Sequence, residues 1–535
     1  MKVSDSCSTL IALLAVQCFF SLIFAISSIF PRIRKLFVLL YAITIPALSL
    51  TLLHIYLESG KPSHLGSLGV TWLGITMILV ANLLPVAALL YCELSDVRAD
   101  RPGLLFSSVS LGSFFVSLSF LVTSVFSYAL LLAGIIFASG MSFFGKRESI
   151  RACRKAFLFW LSSDAIFLIA AVLSWLLLDE TSLFIKPPLI KGSEASAFLV
   201  VFLFFISALM RFGLFPFNFW VSDLARNAEP GWNAAFTCCF GFLIGAYRLL
   251  IACVLAARIL TLDWGLAITF TGILSCLAAL FSFRFEDTTG LFSVLYAMQA
   301  GFLCLGLGLY SRGGLAGALL LMVFAPISLS AHLMASGVVT RLRGTTSLFS
   351  KRIDARFVPA AFIAMLFSIA SLAGCPPLDG FVGKSFVVIS SLDRMQLNPI
   401  YSVVSFLSLF AIVGAFLISI YGMSGVFTGS EKAMVIGQRR RFESVIPLGM
   451  CIVSFLFGVL PGILLSNVIE PASKEIFPPN WTGPAVSFRA TGTAFLRALG
   501  SYSNWAESVS AFLLCVFLFS LAIYFLKRRL VSETK

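Results

Sequence analysis

Charge is scarce in this chain: of 535 residues only 12% are Asp, Glu, Lys or Arg, while 59% are hydrophobic. The mean hydropathy is +1.01. So little polar material cannot cover the surface of a water-soluble globular protein, so lipid must be the solvent. The ~10-residue alternating segments of a membrane β-barrel are missing as well, which leaves α-helices as the spanning elements. No Gly-rich turn follows a strand, and the 12 cysteines, including adjacent Cys238 and Cys239, show neither metal-ligand nor cluster-ligand spacing. No cofactor, no metal and no redox centre of the chain's own are therefore expected. A small-residue cleavage site is lacking after the first apolar run, 8–30, which ends in Pro31-Arg32-Ile33-Arg34-Lys35 and is read as the first spanning helix. The net charge of +14 does not form one basic patch. It is scattered in short clusters between apolar runs, which excludes a nucleic-acid partner and points to membrane topology.

Apolar runs of about twenty residues, the length that crosses ~30 Å of hydrocarbon as a helix, recur from 8–30 to 505–527. The pattern predicts an all-α polytopic membrane protein with about 14–15 transmembrane helices. The run 357–392 is too long for one straight helix and contains Gly374-Cys375-Pro376-Pro377, so it is read as one discontinuous crossing. With the N-terminus outside, that reading puts Arg32 to Lys35, Lys146 to Lys155, Arg341 to Arg356, Arg439 to Arg441 and Lys527 to Arg529 on the cytoplasmic side, as the positive-inside tendency requires. Two crossings there would put the last two clusters outside.

Grouping the runs suggests four segments: N-terminal helices in 1–103, a five-helix repeat in 104–259, an inverted second repeat in 262–427, and C-terminal helices with an outer-face loop in 428–535. The fourth member of each repeat is interrupted by proline, at Pro216 in the first and at Pro376 and Pro377 in the second. Broken helices in corresponding places of inverted repeats mark an ion or substrate pathway near the bilayer midplane.

Two motifs at these breaks carry a family resemblance. The stretch from Arg211 to Arg226, followed by Glu229-Pro230, is similar to a lysine, Pro-Phe-His, Trp-Leu-Pro segment on a broken helix. The stretch from Ser371 through Gly374, Pro376, Pro377, Gly380 and Phe381 to Lys384 is similar to an Ala-Gly-x-Pro-Pro-x-x-Gly-Phe-x-x-Lys motif. Over about 104–427 the chain thus resembles the antiporter-like subunits of respiratory complex I, Mrp-type cation/proton antiporters and membrane-bound hydrogenases. Asp164 after a basic loop, and Asp287 with Gln299, add to the likeness.

The resemblance implies a file of buried Lys, Glu and His side chains that passes protons, other membrane subunits as partners, and the bacterial cytoplasmic (inner) membrane or an equivalent energy-transducing membrane as location. Any redox chemistry, as in an NADH-quinone oxidoreductase-type translocase, would then belong to those partners. Lys384 matches the lysine of the second broken helix. It can be read as a proton carrier, since a desolvated ammonium can release its proton, or as an interfacial lysine snorkelling beside Asp379. Departures from the pattern are plain. Arg211 replaces a lysine, and a guanidinium does not deprotonate at accessible pH. Ala133 or Gly134, Leu243 and Leu329 stand where titrating side chains are expected. Arg248 and His332, the latter one turn from Leu329, are the nearby candidates to replace them. Asp164, in mid-span, needs a partner, with Arg211 or Lys155 suited by charge. Besides an ion-translocating subunit, the sequence leaves open a non-conducting scaffold paralogue of such an assembly, or the membrane subunit of a bicarbonate-uptake system.

Overall fold

The computed structural model describes residues 2–27, 31–59, 63–65, 68–95, 102–141, 150–178, 193–259, 264–282, 287–350, 353–355, 358–427 and 442–476. Among these residues, eleven helices are long and apolar enough to cross a membrane, and Val125–Gly140, Pro359–Ala373 and Val445–Val459 are shorter apolar helices. Each expected span up to 444–466 falls on helix, with 357–392 divided between Pro359–Ala373 and Asp379–Arg394 and 196–220 running from Glu194–Phe212 into Phe219–Asn227; the last, 505–527, lies outside the described residues, as does most of the polar stretch 467–504. The chain is a multi-pass membrane protein.

Contacts among the described residues divide into two units, one within Met1–Leu266 and Asn467–Ser487, the other within Ala267–Ser466. The first holds α1 (Lys2–Ile26), α2 (Pro31–Ser59), a short antiparallel hairpin of β1 (Ser63–Leu65) and β2 (Leu68–Val70), α3 (Trp72–Leu94), α4 (Pro102–Ser119), α5 (Val125–Met141) and α6 (Ile150–Leu178). It continues through α7 (Glu194–Phe212), α8 (Phe219–Asn227), α9 (Pro230–Asn233), a π-helical segment (Ala234–Leu243) and α10 (Ile244–Ile259). The second unit holds α11 (Gly265–Ser282), α12 (Thr288–Gly308), α13 (Arg312–Arg343), α14 (Pro359–Ala373), α15 (Asp379–Arg394), α16 (Ile400–Phe427), α17 (Val445–Val459) and α18 (Pro461–Leu464). The chain then rejoins the first unit as α19 (Glu470–Ile476), which packs on α3.

A helix that is apolar all round belongs in an interior. In each unit one such helix is enclosed: the most apolar windows of Pro230–Ala257 and of Arg312–Arg343 are buried throughout. By contrast, α1, α2 and α6 leave one side uncovered, with Phe19, Leu22, Ile43, Leu168 and Leu176 exposed as lipid-facing side chains. Small buried hydroxyls fill the seams of these bundles by bonding back to their own helix, as Ser108, Ser139 and Ser391 do to Leu105, Ile135 and Val388, which satisfies them away from water.

Both breaks end in the same way. Helix α7 stops at Gly213, whose φ of 69° lies in the left-handed region, and α14 stops at Gly374 with φ of 90°. The next amide reaches back five residues in each case, Leu214 N–H to the Leu209 carbonyl at 3.1 Å and Cys375 N–H to the Ala370 carbonyl at 2.9 Å. This arrangement satisfies carbonyls that a helix end otherwise leaves bare, and it favours glycine because a Cβ would be strained there. Each glycine is followed by a cis prolyl bond, Phe215–Pro216 and Pro376–Pro377, before the chain starts its next helix. A constant offset carries Gly213 to Gly374, Leu214 to Cys375 and Pro216 to Pro377.

Candidate functional site

In the first unit the break gathers three charges. Asp164 comes from the middle of α6, Arg211 from the last turn of α7 and Arg248 from α10; Asp164 is 8% exposed and both arginines 0%. Arg248 Nη2 donates to Asp164 Oδ1, and Arg211 Nη1 lies 3.5 Å from Oδ2. Arg248 Nη1 also donates to the hydroxyls of Ser163 at 2.9 Å and Ser207 at 3.4 Å. Aromatic faces take up further positive charge, with Trp160 3.9 Å from the Arg211 guanidinium and Phe167 5.1 Å from that of Arg248.

The remaining donors of Arg211, Nε and Nη2, both point at the Phe240 carbonyl, at 3.1 and 3.0 Å. That oxygen is available because Phe240 sits in the π-helical segment. An α-helical register would bond it to the Ile244 amide, but the Ile244 N–H turns to Gly241 instead. Arg211 thus lies beside Asp164, and Arg248 joins the same cluster. Lys155 does not: it pairs with Asp223 at 3.1 Å, where both side chains reach solvent. Two guanidiniums on one carboxylate form a site of fixed positive charge, because neither arginine can release its proton.

In the second unit, Lys384 on α15 is 1% exposed, so it is enclosed by protein and does not snorkel to an interface. Its Nζ donates to the Leu372 carbonyl, which also accepts from Gln299 Nε2 at 2.5 Å. Leu372 lies in the last turn of α14, where carbonyls lack helical partners and the helix dipole is negative, a suitable seat for an ammonium. The Phe302 ring stands 5.2 Å from Nζ. Gly374 leaves room for this approach; a Cβ there would come within 3.1 Å of Lys384 Cδ.

Beyond the break, Asp379 opens α15 and is also 1% exposed. It accepts from the Ser371 hydroxyl and, at 2.8 Å, from the Gly380 amide. Ser371 Oγ lies 3.0 Å from Ser328 Oγ on α13, which lies 3.1 Å from Ser454 Oγ on α17. Nothing in the spacing of the sequence pointed to this chain, although an aspartate just after Pro376-Pro377 at a helix start was a signal that could have been followed. His332 is fully buried on α13 with neither ring nitrogen hydrogen-bonded among the described residues, and it stacks on Phe292 at 6.3 Å. Asp287 and Gln299 do not meet: Asp287 caps α12 through the Gly290 amide at 2.6 Å, whereas Gln299 reaches Leu372.

Comparison with known proteins matches residues 121–411 to the family described as NADH:quinone oxidoreductase/Mrp antiporter, transmembrane. Subunit A1 of a Na(+)/H(+) antiporter from Staphylococcus epidermidis is 26% identical over 329 residues, covering 57% of this chain and 41% of that protein. The Staphylococcus aureus counterpart is 24% identical over 303 residues, or 51% and 37% of the two chains. The chain therefore spans about two fifths of the length of these relatives. Among solved structures, the Mrp complex from Dietzia sp. DQ12-45-1b superposes with a TM-score of 0.76 at 18% identity, covering 98% of this chain and 57% of that one. A chain of respiratory complex I from Thermus thermophilus superposes at 0.67 and 16% identity, over 89% of this chain and all of that one. At such identities the likeness is one of fold.

Proposed function

Since the chain belongs to the NADH:quinone oxidoreductase/Mrp antiporter transmembrane family, we propose that it is an antiporter-like membrane subunit of a multisubunit assembly in a bacterial cytoplasmic membrane. In this reading it moves protons, or exchanges a cation for protons, in step with redox chemistry or ion exchange in its partners. The observation that carries the reading is Lys384: a buried ammonium at the negative end of a broken helix, sharing the Leu372 carbonyl with Gln299. A lysine can pass between charged and neutral forms in such a place, and the gain or loss of one proton there changes the field felt by the next group.

The two units divide the work. In the first, Arg211 and Arg248 hold positive charge whatever the pH, so the Asp164 cluster acts as a fixed field that repels a second cation. In the second, Lys384 exchanges. Substituting Lys384→Ala in native membranes is expected to cut pumping or antiport ~100-fold, the lower part of the range for a positioned proton-transfer group, with the assembly intact. Unchanged flux would sink the reading.

A scaffold role is favoured by one observation, the apolar Leu243 and Leu329 buried in the two enclosed helices. If it holds, neutralising Arg211, Asp164 and Lys384 together leaves flux unchanged in every assembly that still forms.

A further inference from the structure

The second unit buries a second exchangeable group that the Lys384 reading does not use. Asp379 is enclosed at the first position of α15; one oxygen accepts from Ser371 Oγ and Gly380 N–H, and the other, Oδ2, has no hydrogen-bond partner among the described residues. From Ser371 the hydroxyls of Ser328 and Ser454 follow in hydrogen-bond contact, drawn from three different helices, α14, α13 and α17. Gly458, one turn beyond Ser454 on α17, lies so close to the break that a Cβ there would be 2.2 Å from the Pro377 carbonyl, which brings α17 against the start of α15.

We infer that Asp379 is a proton-carrying residue of this unit and that the Ser371 and Ser328 hydroxyls are its relay along α13 toward His332. Ser454 closes the group between Ser328 and the carboxyl. The inference rests on the proposed function and extends it. Serine hydroxyls both donate and accept, so a chain of them can pass a proton without holding charge. As the Asp379 carboxyl gives its proton to Ser371 Oγ, the Ser371 proton moves to Ser328 Oγ. The Ser328 proton in turn leaves for the next acceptor, so each O–H bond that breaks is matched by one that forms. We place His332 as that acceptor by its spacing, one turn further along α13, where it is the only titratable side chain of that helix between Arg312 and Arg341; its ring nitrogens make no hydrogen bond among the described residues, Ser328 included, so this last transfer needs a water to bridge the hydroxyl and the ring.

Asp379 interacts electrostatically with Lys384 on its own helix and with the Cys451 thiol on α17, which is engaged with the Ala364 carbonyl at 3.2 Å; Cys375 follows at the break, and α14 itself carries no titratable side chain. In the carboxylate state, Asp379 and Lys384 balance each other. Uptake of a proton by Asp379 leaves the ammonium unbalanced and favours its release, which couples the two groups without direct contact.

The test uses Asp379→Asn, which keeps an oxygen for Ser371 and Gly380 but cannot carry a proton, alongside Asp379→Glu, which can. In native membranes Asp379→Asn is expected to lower coupled flux at least ~10-fold and flatten its pH profile, Asp379→Glu to restore the profile, and Ser328→Ala to slow flux several-fold without changing its shape. In the purified full chain in lipid, pH-difference infrared spectra should show a protonated-carboxyl band that shifts in heavy water, disappears in Asp379→Asn and returns in Asp379→Glu. A band that persists in Asp379→Asn, or a pH profile unchanged by that substitution, overturns the inference. If Lys384→Ala abolishes flux while Asp379→Asn does not, the inference alone fails; if Lys384→Ala has no effect, the functional reading beneath it fails.

Discussion

Arg211 lays its guanidinium over the face of Trp160, 3.9 Å from the ring centre, and turns its edge to the Asp164 carboxylate. A lysine in its place keeps the charge but loses the flat stacking surface and the two donors aimed at the Phe240 carbonyl. Arg211→Lys is therefore expected to destabilise the chain by ~2 kcal/mol, about the worth of the charge-assisted hydrogen bonds removed. Thermal unfolding in detergent, against wild type under the same lipid and salt, measures it.

Removing the carboxylate from the same cluster should cost more. Asp164→Asn leaves two buried guanidiniums facing each other, and breaking a buried ion pair costs ~3–5 kcal/mol. Pairing it with Arg248→Leu should recover part of that loss, since the removed charges then match. A double-mutant cycle by chemical unfolding reads the coupling, and additive effects would show that Arg248 and Asp164 do not interact.

Gly374→Ala combines a left-handed backbone with crowding of Lys384, whereas Gly344→Ala has the left-handed backbone alone, with nothing within 4 Å of the added Cβ. The Gly344 substitution is expected to cost ~1 kcal/mol and leave transport unchanged. At Gly374 the cost should be larger, and flux should fall as well, because the Lys384 stem must shift. Equal effects at both positions would show that Gly374 serves the backbone only.

Outside the spans, Glu475 on α19 places its carboxylate against the start of α3, accepting the Trp72 N–H at 2.9 Å. Burial there pushes its pKa up to about 7, against the opposite pull of the hydrogen bonds from Trp72, Leu73 and Tyr56. Because the docked state holds a proton that a released α19 would lose, docking is fully favourable below the ordinary carboxylate range and weakens as pH rises through about 7. A cysteine at Ala472, buried in the docked state, should become labelled by an impermeant maleimide as pH rises. Adding Glu475→Gln should remove that pH dependence beyond the thiol's own; labelling identical in the two backgrounds would refute the role of Glu475 in docking α19.

Spans and breaks were legible because both are written in composition. Twenty apolar residues need a helix in lipid, and Gly213 with Pro216, or Gly374 with Pro376 and Pro377, cannot continue one. Asp164 also advertised itself, as a charge in mid-span. What stayed hidden was facing. A helix apolar on every side has no periodic pattern to say which residue points where, so the convergence of Arg248 on Asp164, and of Ser328, Ser371 and Ser454 beside Asp379, could not be read from spacing. The π-helical segment leaves no mark in Ala234–Leu243 for the same reason, and charge alone suits Lys155 to Asp164 where the fold pairs it with Asp223.

That segment spends an extra residue on freeing one oxygen. A π-turn holds one residue more than an α-turn, so loss of a single codon between Ala234 and Leu243 would let the helix rewind as α with the side chains beyond it still facing as they do. Arg248 would keep its aim at Asp164, but the Phe240 oxygen would return to its own helix and Arg211 would lose the acceptor of its Nε and Nη2 donors. The supernumerary residue thus serves the arginine of the neighbouring helix, not the one further along its own.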